Sequence, residues 1–262
     1  MITFVKNFFI KNIGNYKLSD IEKIEKIEKS YSNNIFYLKT LDNKKFFIRI
    51  VKNNNFINRN NEINYFLKSI DNKPLFIDQD GNIIANWIDN FLDIENPNKE
   101  EVSLIIQKIL LIPNIEINNI TNFDYFKYLN NNNNNKIEKK YIDKYKEIIK
   151  NYKDEELVFA HNDLNLSNIY FYNQKVEFID WEWCSMNNNY WDIAYFLKDL
   201  TLNKDIILSI SKEFSLLLNK IYDFLFVTVI YTISWIEFYK IKKINNYYEH
   251  LNNVLNFIWN NF

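Results

Sequence analysis

Residues 161–180 read HNDLNLSNIYFYNQKVEFID, and this stretch decides the reading of the whole chain. Asp163 is followed five residues later by Asn168 and twelve residues after that by Asp180. An apolar run at 157–160 leads into His161, Asn162 and Asp163 and reads as a strand. Residues 169–172 and 176–179 read as a hairpin with Asn173-Gln174 at its turn. Asp and Asn are common turn residues, so a lone D-x-x-x-x-N is an ordinary turn between strands. The ordered sequence of strand, Asp, Asn, hairpin and second Asp is a more specific signal.

That order resembles the catalytic loop and metal-binding Asp of protein kinases, H-R-D-x-x-x-x-N and then D-F-G. Two positions depart: Asn162 stands where those kinases have Arg, and Asp180 sits in Ile179-Asp180-Trp181. The chemistry explains the residue types. Moving a γ-phosphoryl group to a hydroxyl needs a base at the attacking oxygen and hard oxygen ligands for magnesium. Magnesium keeps several waters and takes only one or two carboxylates. In the kinase pattern Asp163 is the base, and Asn168 and Asp180 are the metal ligands. His161 is then a structural hydrogen-bonding residue.

The segment IDWEWCSMNNNYWDIAYF, from Ile179 to Phe196, narrows the resemblance. With HND-L-x-x-x-N before it, the chain resembles the choline/ethanolamine kinase family, within the wider aminoglycoside-phosphotransferase-like group. That family carries I-D-[FW]-E-[YW], an Asn-containing turn and an aromatic-Asp-Ile helix start. Here those positions are Asp180, Trp181, Glu182, Trp183, Asn187, Trp191, Asp192 and Ile193. The resemblance is strong over 157–200, weaker over 24–90 and faint elsewhere. It implies an α+β, bilobal protein kinase-like fold with a small antiparallel-sheet N-lobe and a larger, mostly helical C-lobe. Residues 1–90 are the expected nucleotide-binding lobe and 91–262 the catalytic and substrate-binding lobe.

Composition bounds the function from outside. The chain has 262 residues, 32 basic and 33 acidic, for a net charge of −1. No long basic stripe appears, so nucleic acid is not an expected partner. The single cysteine, Cys184, makes no internal disulfide and fits a reducing cytoplasm. The start MITFVKNFFIKN is broken by Lys6 and Lys11 and has no small-residue cleavage site, so no secretory signal is expected. The longest uncharged run, 224–236, is shorter than the ~18 residues of a membrane span and reads as a buried helix. With only two glycines, Asn must take over turn positions, and the run 130–135 reads as a solvent loop. Nothing in the sequence sets an oligomeric state.

Residues 1–20 read as an early helix or edge segment. The repeat IEKIEKIEK at 21–29 reads as one helical turn running into a strand. Residues 35–39 and 45–51 form a predicted hairpin. The polar segment 29–34 before it occupies the place of a phosphate loop. It has no glycine, and Ser32-Asn33 match the tail of the family's G-G-[LM]-[ST]-N. Backbone N–H groups and side-chain oxygens can touch phosphate there, less closely than a glycine turn does.

Arg49, in FFIRI, stands at the place of the kinase lysine, where this family carries Arg. A guanidinium can hold phosphate oxygens bidentately. Residues 57–70 have a helical period. Glu62 near their start is read as Arg49's ion-pair partner, against the plain reading of a carboxylate favoured at a helix N-terminus. Arg59 matches a basic family position. Residues 75–77 and 83–87 read as strands around Asp80-Gly81, the second leading to a hinge at 86–89. Trp87 and Ile88 are the adenine-side candidates.

In the second lobe 100–111 is an amphipathic helix, and Tyr125-Phe126 and 136–152 suggest helices flanking the Asn run. Residues 190–200, 204–219, 221–239 and 244–262 read as further helices. The resemblance places Asp199 at the family's acidic position, seven beyond Asp192, and Trp235 in its late tryptophan segment. Thr232 stands at the other tryptophan position, with Tyr239, Tyr247 and Tyr248 available to compensate. A trimethylammonium group donates no hydrogen bonds and is held by aromatic faces and carboxylates. Trp183, Trp235, Glu182 and Asp199 would supply that cage, against the plain reading of aromatic core packing. Trp181 reads as packing.

The resemblance therefore implies transfer of the γ-phosphoryl of ATP, with Mg2+, to the hydroxyl of choline, giving phosphocholine. Ethanolamine, thiamine or an aminoglycoside are alternative acceptors on the same fold. The glycine-less loop motivates a nucleotide-binding pseudokinase as the reading from another class. Membrane phospholipid synthesis and decoration of a surface glycan both stay open as pathways.

Overall fold

The computed structural model describes residues 1–27, 33–52, 57–68, 73–89, 92–93, 96–129, 137–172, 175–202, 204–241 and 245–261. Ser32, the Asn173-Gln174 turn and the run 130–135 lie outside the described residues. The chain divides into two compact units: Met1–Phe91 with Ile117–Ile120, and Leu92–Glu116 with Thr121–Phe262.

The first unit is an antiparallel sheet with one helix packed on its core face. It contains α1 (Ile2–Ile13), β1 (Ile21–Ile27), β2 (Asn33–Thr40), β3 (Lys45–Val51), α2 (Arg59–Lys68), β4 (Phe76–Ile77) and β5 (Ile83–Asn86). The strand order is β1-β2-β3-β5-β4. Alternation along each strand sorts the side chains onto two faces. Phe36, Leu38, Phe46, Ile48 and Ile84 form a core with Val5 and Phe9, one turn apart on α1. The opposite face carries Tyr37, Phe47 and Ala85 in one cross-strand row, and Ile35, Arg49 and Ile83 in the next.

The repeat at 21–29 departs from its reading as a helical turn, because 21–27 is strand throughout. Isoleucines three apart cannot share a face of a regular strand. A register irregularity between Ile21 and Lys23 absorbs the extra residue, and Ile21 and Ile24 both reach the core. The intervening Glu and Lys residues are solvated on the outer edge, which discourages further strand pairing.

The second unit is mostly helical. It holds β6 (Leu92–Asp93), α3 (Lys99–Ile109), α4 (Lys139–Asn151), β7 (Val158–Ala160), β8 (Ile169–Tyr172), β9 (Lys175–Phe178), β10 (Ser185–Asn187), α5 (Trp191–Leu197), α6 (Lys204–Glu213), α7 (Leu218–Tyr239) and α8 (Asn245–Trp259). Asn98 caps α3 in a reciprocal box. Its Oδ1 accepts from Glu100 N and Glu101 N, and Glu101 accepts from Asn98 N. Residues 125–129 are turns, so the helix read at Tyr125-Phe126 is absent among the described residues.

The core of this unit is α7, which packs against α4, α5, α6 and α8. It is long and apolar enough to cross a membrane by length and composition, yet 78% of its most apolar window is buried inside the protein. It is apolar because helices surround it, as the reading of a buried helix expects.

Candidate active site

The loop after β7 is fixed by hydrogen bonds that converge on its backbone. β7 pairs antiparallel with β10, with Ala160 opposite Ser185. His161 and Asn162 then donate their backbone N–H groups to the two Asp192 oxygens, each at 2.7 Å. Asn162 adopts φ 70°, the left-handed region that Asn tolerates better than most residues. Its Nδ2 donates to Ser185 Oγ at 2.8 Å and to Trp183 O at 3.0 Å, and its Oδ1 accepts from Asn187 at 2.6 Å. Burial pushes the Asp192 carboxyl up to about 7, and the two backbone donors oppose that shift.

His161 lies against Trp181, with ring centroids 4.5 Å apart, and its Nε2 is 2.8 Å from Ile179 O. A carbonyl only accepts, so Nε2 carries the proton and Nδ1 is left to accept Asp163 N–H at 3.3 Å. Burial lowers this histidine to about 4, so it is neutral at neutral pH. With both ring nitrogens engaged, it has no lone pair to serve as a base. Trp181 stacks on Phe159 and bonds Phe178 O, a packing residue as read.

Asp163 and Asn168 are brought together. Asn168 Nδ2 donates to Asp163 O at 2.8 Å and to Asp163 Oδ2 at 3.1 Å, while Asn165 Nδ2 reaches Oδ1 at 3.2 Å. Burial raises the Asp163 carboxyl to about 6; the Lys198 charge and bonds from Tyr195 and Asn165 oppose the rise, and the nearby Glu182 charge adds to it. Because the Asn168 amide nitrogen turns toward Asp163, its Oδ1 turns away from it. Ile179 N donates to Asn168 O at 3.0 Å, which sets the residue before Asp180 beside Asn168. Asp180 is half-buried and leaves β9 at φ 62°, ψ 59°, a conformation few residues other than glycine adopt.

The expected headgroup residues have these surroundings. Glu182 is buried, and its charge reaches Asp163. Trp183 is half-buried, with Lys127 Nζ 5.3 Å from its ring centroid. Trp235 lies against Tyr239, centroids 5.5 Å apart, and among the described residues no ring contact joins it to Trp183. Asp199 Oδ1 accepts from Lys198 Nζ at 2.9 Å and Tyr247 Oη at 2.7 Å, and Oδ2 from Leu166 N at 3.4 Å.

In the first unit, Arg49 meets Glu62 bidentately, at 2.8 and 2.5 Å, and also donates to Gly81 O at 3.0 Å. The pair is almost completely buried. The bidentate grip read for phosphate is thus spent on Glu62. Arg59 adds a second guanidinium, 3.3 Å from Glu62 Oε2 and 2.9 Å from Asn33 Oδ1. Asn33 is buried and bonded to Arg59. Trp87 donates its backbone N–H to Lys45 O and meets Tyr37 edge-on at 4.9 Å; Ile88 beside it is half-buried. Tyr37 and Trp87 border an open concavity of about 650 Å³ with Lys23, Glu25, Lys26 and Ile27.

The choline/ethanolamine kinase family model matches residues 72–259. The chain belongs to this family. The fold agrees: the choline kinase LicA from Streptococcus pneumoniae superposes with a TM-score of 0.78 at 16% identity, covering 99% of each chain. A structure of LicA in complex with AMP gives 0.74 at 15% identity, covering 98% of each. An uncharacterized protein of Metamycoplasma hominis is 27% identical over 210 residues, 78% of this chain and 38% of that protein, so the chain spans well under half of this relative's length. The choline/ethanolamine kinases are small-molecule kinases, phosphotransferases with an alcohol acceptor.

For a choline/ethanolamine kinase family chain, three residues here escaped the sequence reading. The sequence marks Asp192 only as a helix start, because its partners lie 30 and 31 positions away. It marks Asn162 only as a departure from Arg; the left-handed backbone there has no local signal. Lys198 is fully buried, where an unpaired lysine is not expected.

Proposed function

We propose that the chain transfers the γ-phosphoryl group of ATP to the hydroxyl of choline, in a magnesium-dependent reaction. The observation that carries this reading is the Asp163–Asn168 pair, held by a loop pinned on Asp192, in a chain of the choline/ethanolamine kinase family.

The residues fit a magnesium ion. Asn168 is oriented by its amide nitrogen so that an oxygen faces away from Asp163, and the Ile179–Asn168 bond sets Asp180 nearby. Among the described residues no group of three or more His, Cys, Asp or Glu side chains suits a metal. An amide and a carboxylate suit magnesium, which takes its remaining ligands from phosphate and water. Bound there, magnesium would neutralise charge on the transferring phosphoryl group.

Asp163 then orients the acceptor hydroxyl and takes its proton as that oxygen bonds to γ-phosphorus and the bond to the ADP oxygen breaks. Its pKa near 6 leaves it ionised at neutral pH, ready to accept. Neutral His161 holds the loop through Ile179 O and Asp163 N. Arg49, buried and paired to Glu62, lies on the sheet face that also carries Tyr37. The concavity beside Tyr37 and Trp87 supports adenine binding there, and LicA has been captured with AMP. Glu182, whose charge acts on Asp163, and Trp183, next to it in the chain, are candidates for the headgroup, with Asp199 and Trp235.

The test is ADP release with magnesium-ATP against choline, ethanolamine, thiamine and kanamycin. Saturable turnover with choline well above the others supports the reading. Preference for another acceptor keeps the Asp163 chemistry and discards choline. Nucleotide binding without turnover of any acceptor, in folded protein, points to a pseudokinase.

A further inference from the structure

Lys198 closes α5, and its side chain is fully buried. Its Nζ donates to Asp199 Oδ1 at 2.9 Å and to Tyr247 Oη at 3.0 Å, and Tyr247 donates to the same carboxylate oxygen at 2.7 Å. The Tyr195 ring centroid is 3.7 Å from Nζ, and the Tyr247 centroid 5.8 Å. His250 Nε2 donates to Lys198 O at 2.8 Å and fixes the backbone. A carboxylate, one tyrosine face and one tyrosine hydroxyl around an ammonium make a cation cage. That is the chemistry expected for the acceptor's head group, with Asp199 as its acid. Here the cage holds the chain's own cation.

Two links tie this cage to the reacting loop. Tyr195 and the Lys198 charge both act on the Asp163 carboxyl, lowering its pKa against the effect of burial. Asp199 Oδ2 accepts from Leu166 N, two residues before Asn168. Withdrawing Lys198 would leave Asp199 buried without its counter-ion and loosen both connections. An uncompensated buried charge is among the most destabilising changes a fold can suffer, so the ammonium is not readily displaced.

We propose that Lys198 is a resident cation filling the tyrosine–carboxylate cage at the end of α5, and that Asp199 is therefore a positioning residue for the Asp163–Asn168 loop and not the acid that receives the acceptor's positive charge. This deepens the kinase reading and rests on it for the role of Asp163.

One arm of the test needs no turnover. Acetic anhydride labelling, read residue by residue by mass spectrometry, is run on the protein alone and with saturating choline. A resident cation stays unlabelled in both. Labelling of Lys198 in the free protein, or its appearance on adding choline, overturns the proposal, since the cage is then open or emptied by the head group.

The kinetic arm uses Asp199→Asn and the double variant Lys198→Met with Asp199→Asn, which removes both charges together. The expected result is a kcat about tenfold lower or less, with KM for choline within about twofold of the parent. A KM about tenfold higher with kcat intact makes Asp199 the headgroup acid and overturns the proposal. If the parent protein turns over no acceptor, the proposed function fails while the labelling still decides the cage. If a variant does not fold, the labelling of the parent protein alone decides the cage.

Discussion

Asp192→Ala removes the one side chain that accepts both backbone N–H groups at the head of the catalytic loop, each at 2.7 Å. A buried donor left without a partner costs about 1–3 kcal/mol, so two cost about 2–6 kcal/mol. Removing the carboxylate also removes an ionisation that burial opposes, which offsets part of the loss. The expected net cost is therefore about 3 kcal/mol. At roughly 2–4 °C per kcal/mol for a chain of this size, the melting temperature should fall by about 10 °C. Asp192→Asn keeps one oxygen acceptor but sets its NH2 donor against the other backbone N–H, so its fall should be smaller than that of Asp192→Ala only by the one bond it keeps. The assay is a circular-dichroism melt of the three proteins at one pH, followed by turnover below the lowest melt. A loop released at Asn162 no longer holds Asp163 in place, and a misplacement of about 1 Å costs about 100-fold in rate. An Asp192→Ala protein that melts within about 2 °C of the parent refutes the pinning argument, as does an Asn variant no more stable than the Ala variant.

Asp163→Asn should lower kcat by about 10²–10⁴-fold, the usual contribution of a general base, while melting at or above the parent temperature because burial disfavours the native carboxylate. Unchanged turnover would remove Asp163 from the mechanism. Glu62→Gln leaves the Arg49 and Arg59 guanidiniums buried without their carboxylate, and a urea titration should show a loss of about 3–5 kcal/mol. Gly81 has φ 82°, and a Cβ there would come within 2.9 Å of Arg59 Cδ. Gly81→Ala should cost about 1–2 kcal/mol in backbone strain alone and displace Arg59 from Asn33, measurable in the same titration. Burial raises Asp192 from its ordinary 3.8 to about 7, so the folded protein holds a proton there that the unfolded chain releases. That contribution is complete below about pH 4 and is lost as pH rises through about 7. The stability profile of Asp192→Asn should accordingly be flatter than the parent's across that interval.

The parts of this chain that were legible in its sequence share a physical property: their partners are fixed by local spacing. Alternating apolar residues at 35–39 and 45–51 dictate which face of the hairpin meets α1, and they place Arg49 on the other face. The five-residue step from Asp163 to Asn168 spans one short turn, so the side chains meet whatever surrounds them. The Arg49–Glu62 pair follows from a strand position and a first-turn position whose geometry the fold fixes. What was not legible depends on charge bookkeeping across long separations. In sequence Asp199 looks like Asp180, an acid near aromatic residues, and Lys198 looks like a solvated surface lysine. In the fold the 48-residue separation between Asp199 and Tyr247 closes to a hydrogen bond, and Lys198, over the Tyr195 ring and bonded to Tyr247 Oη, balances the charge that made Asp199 attractive for a cationic head group. Aromatic content of 18% makes such rings abundant, so an acid beside a tryptophan or tyrosine carries little information until its counter-ion is known. A headgroup assignment therefore has to begin from which carboxylates keep an unbalanced charge.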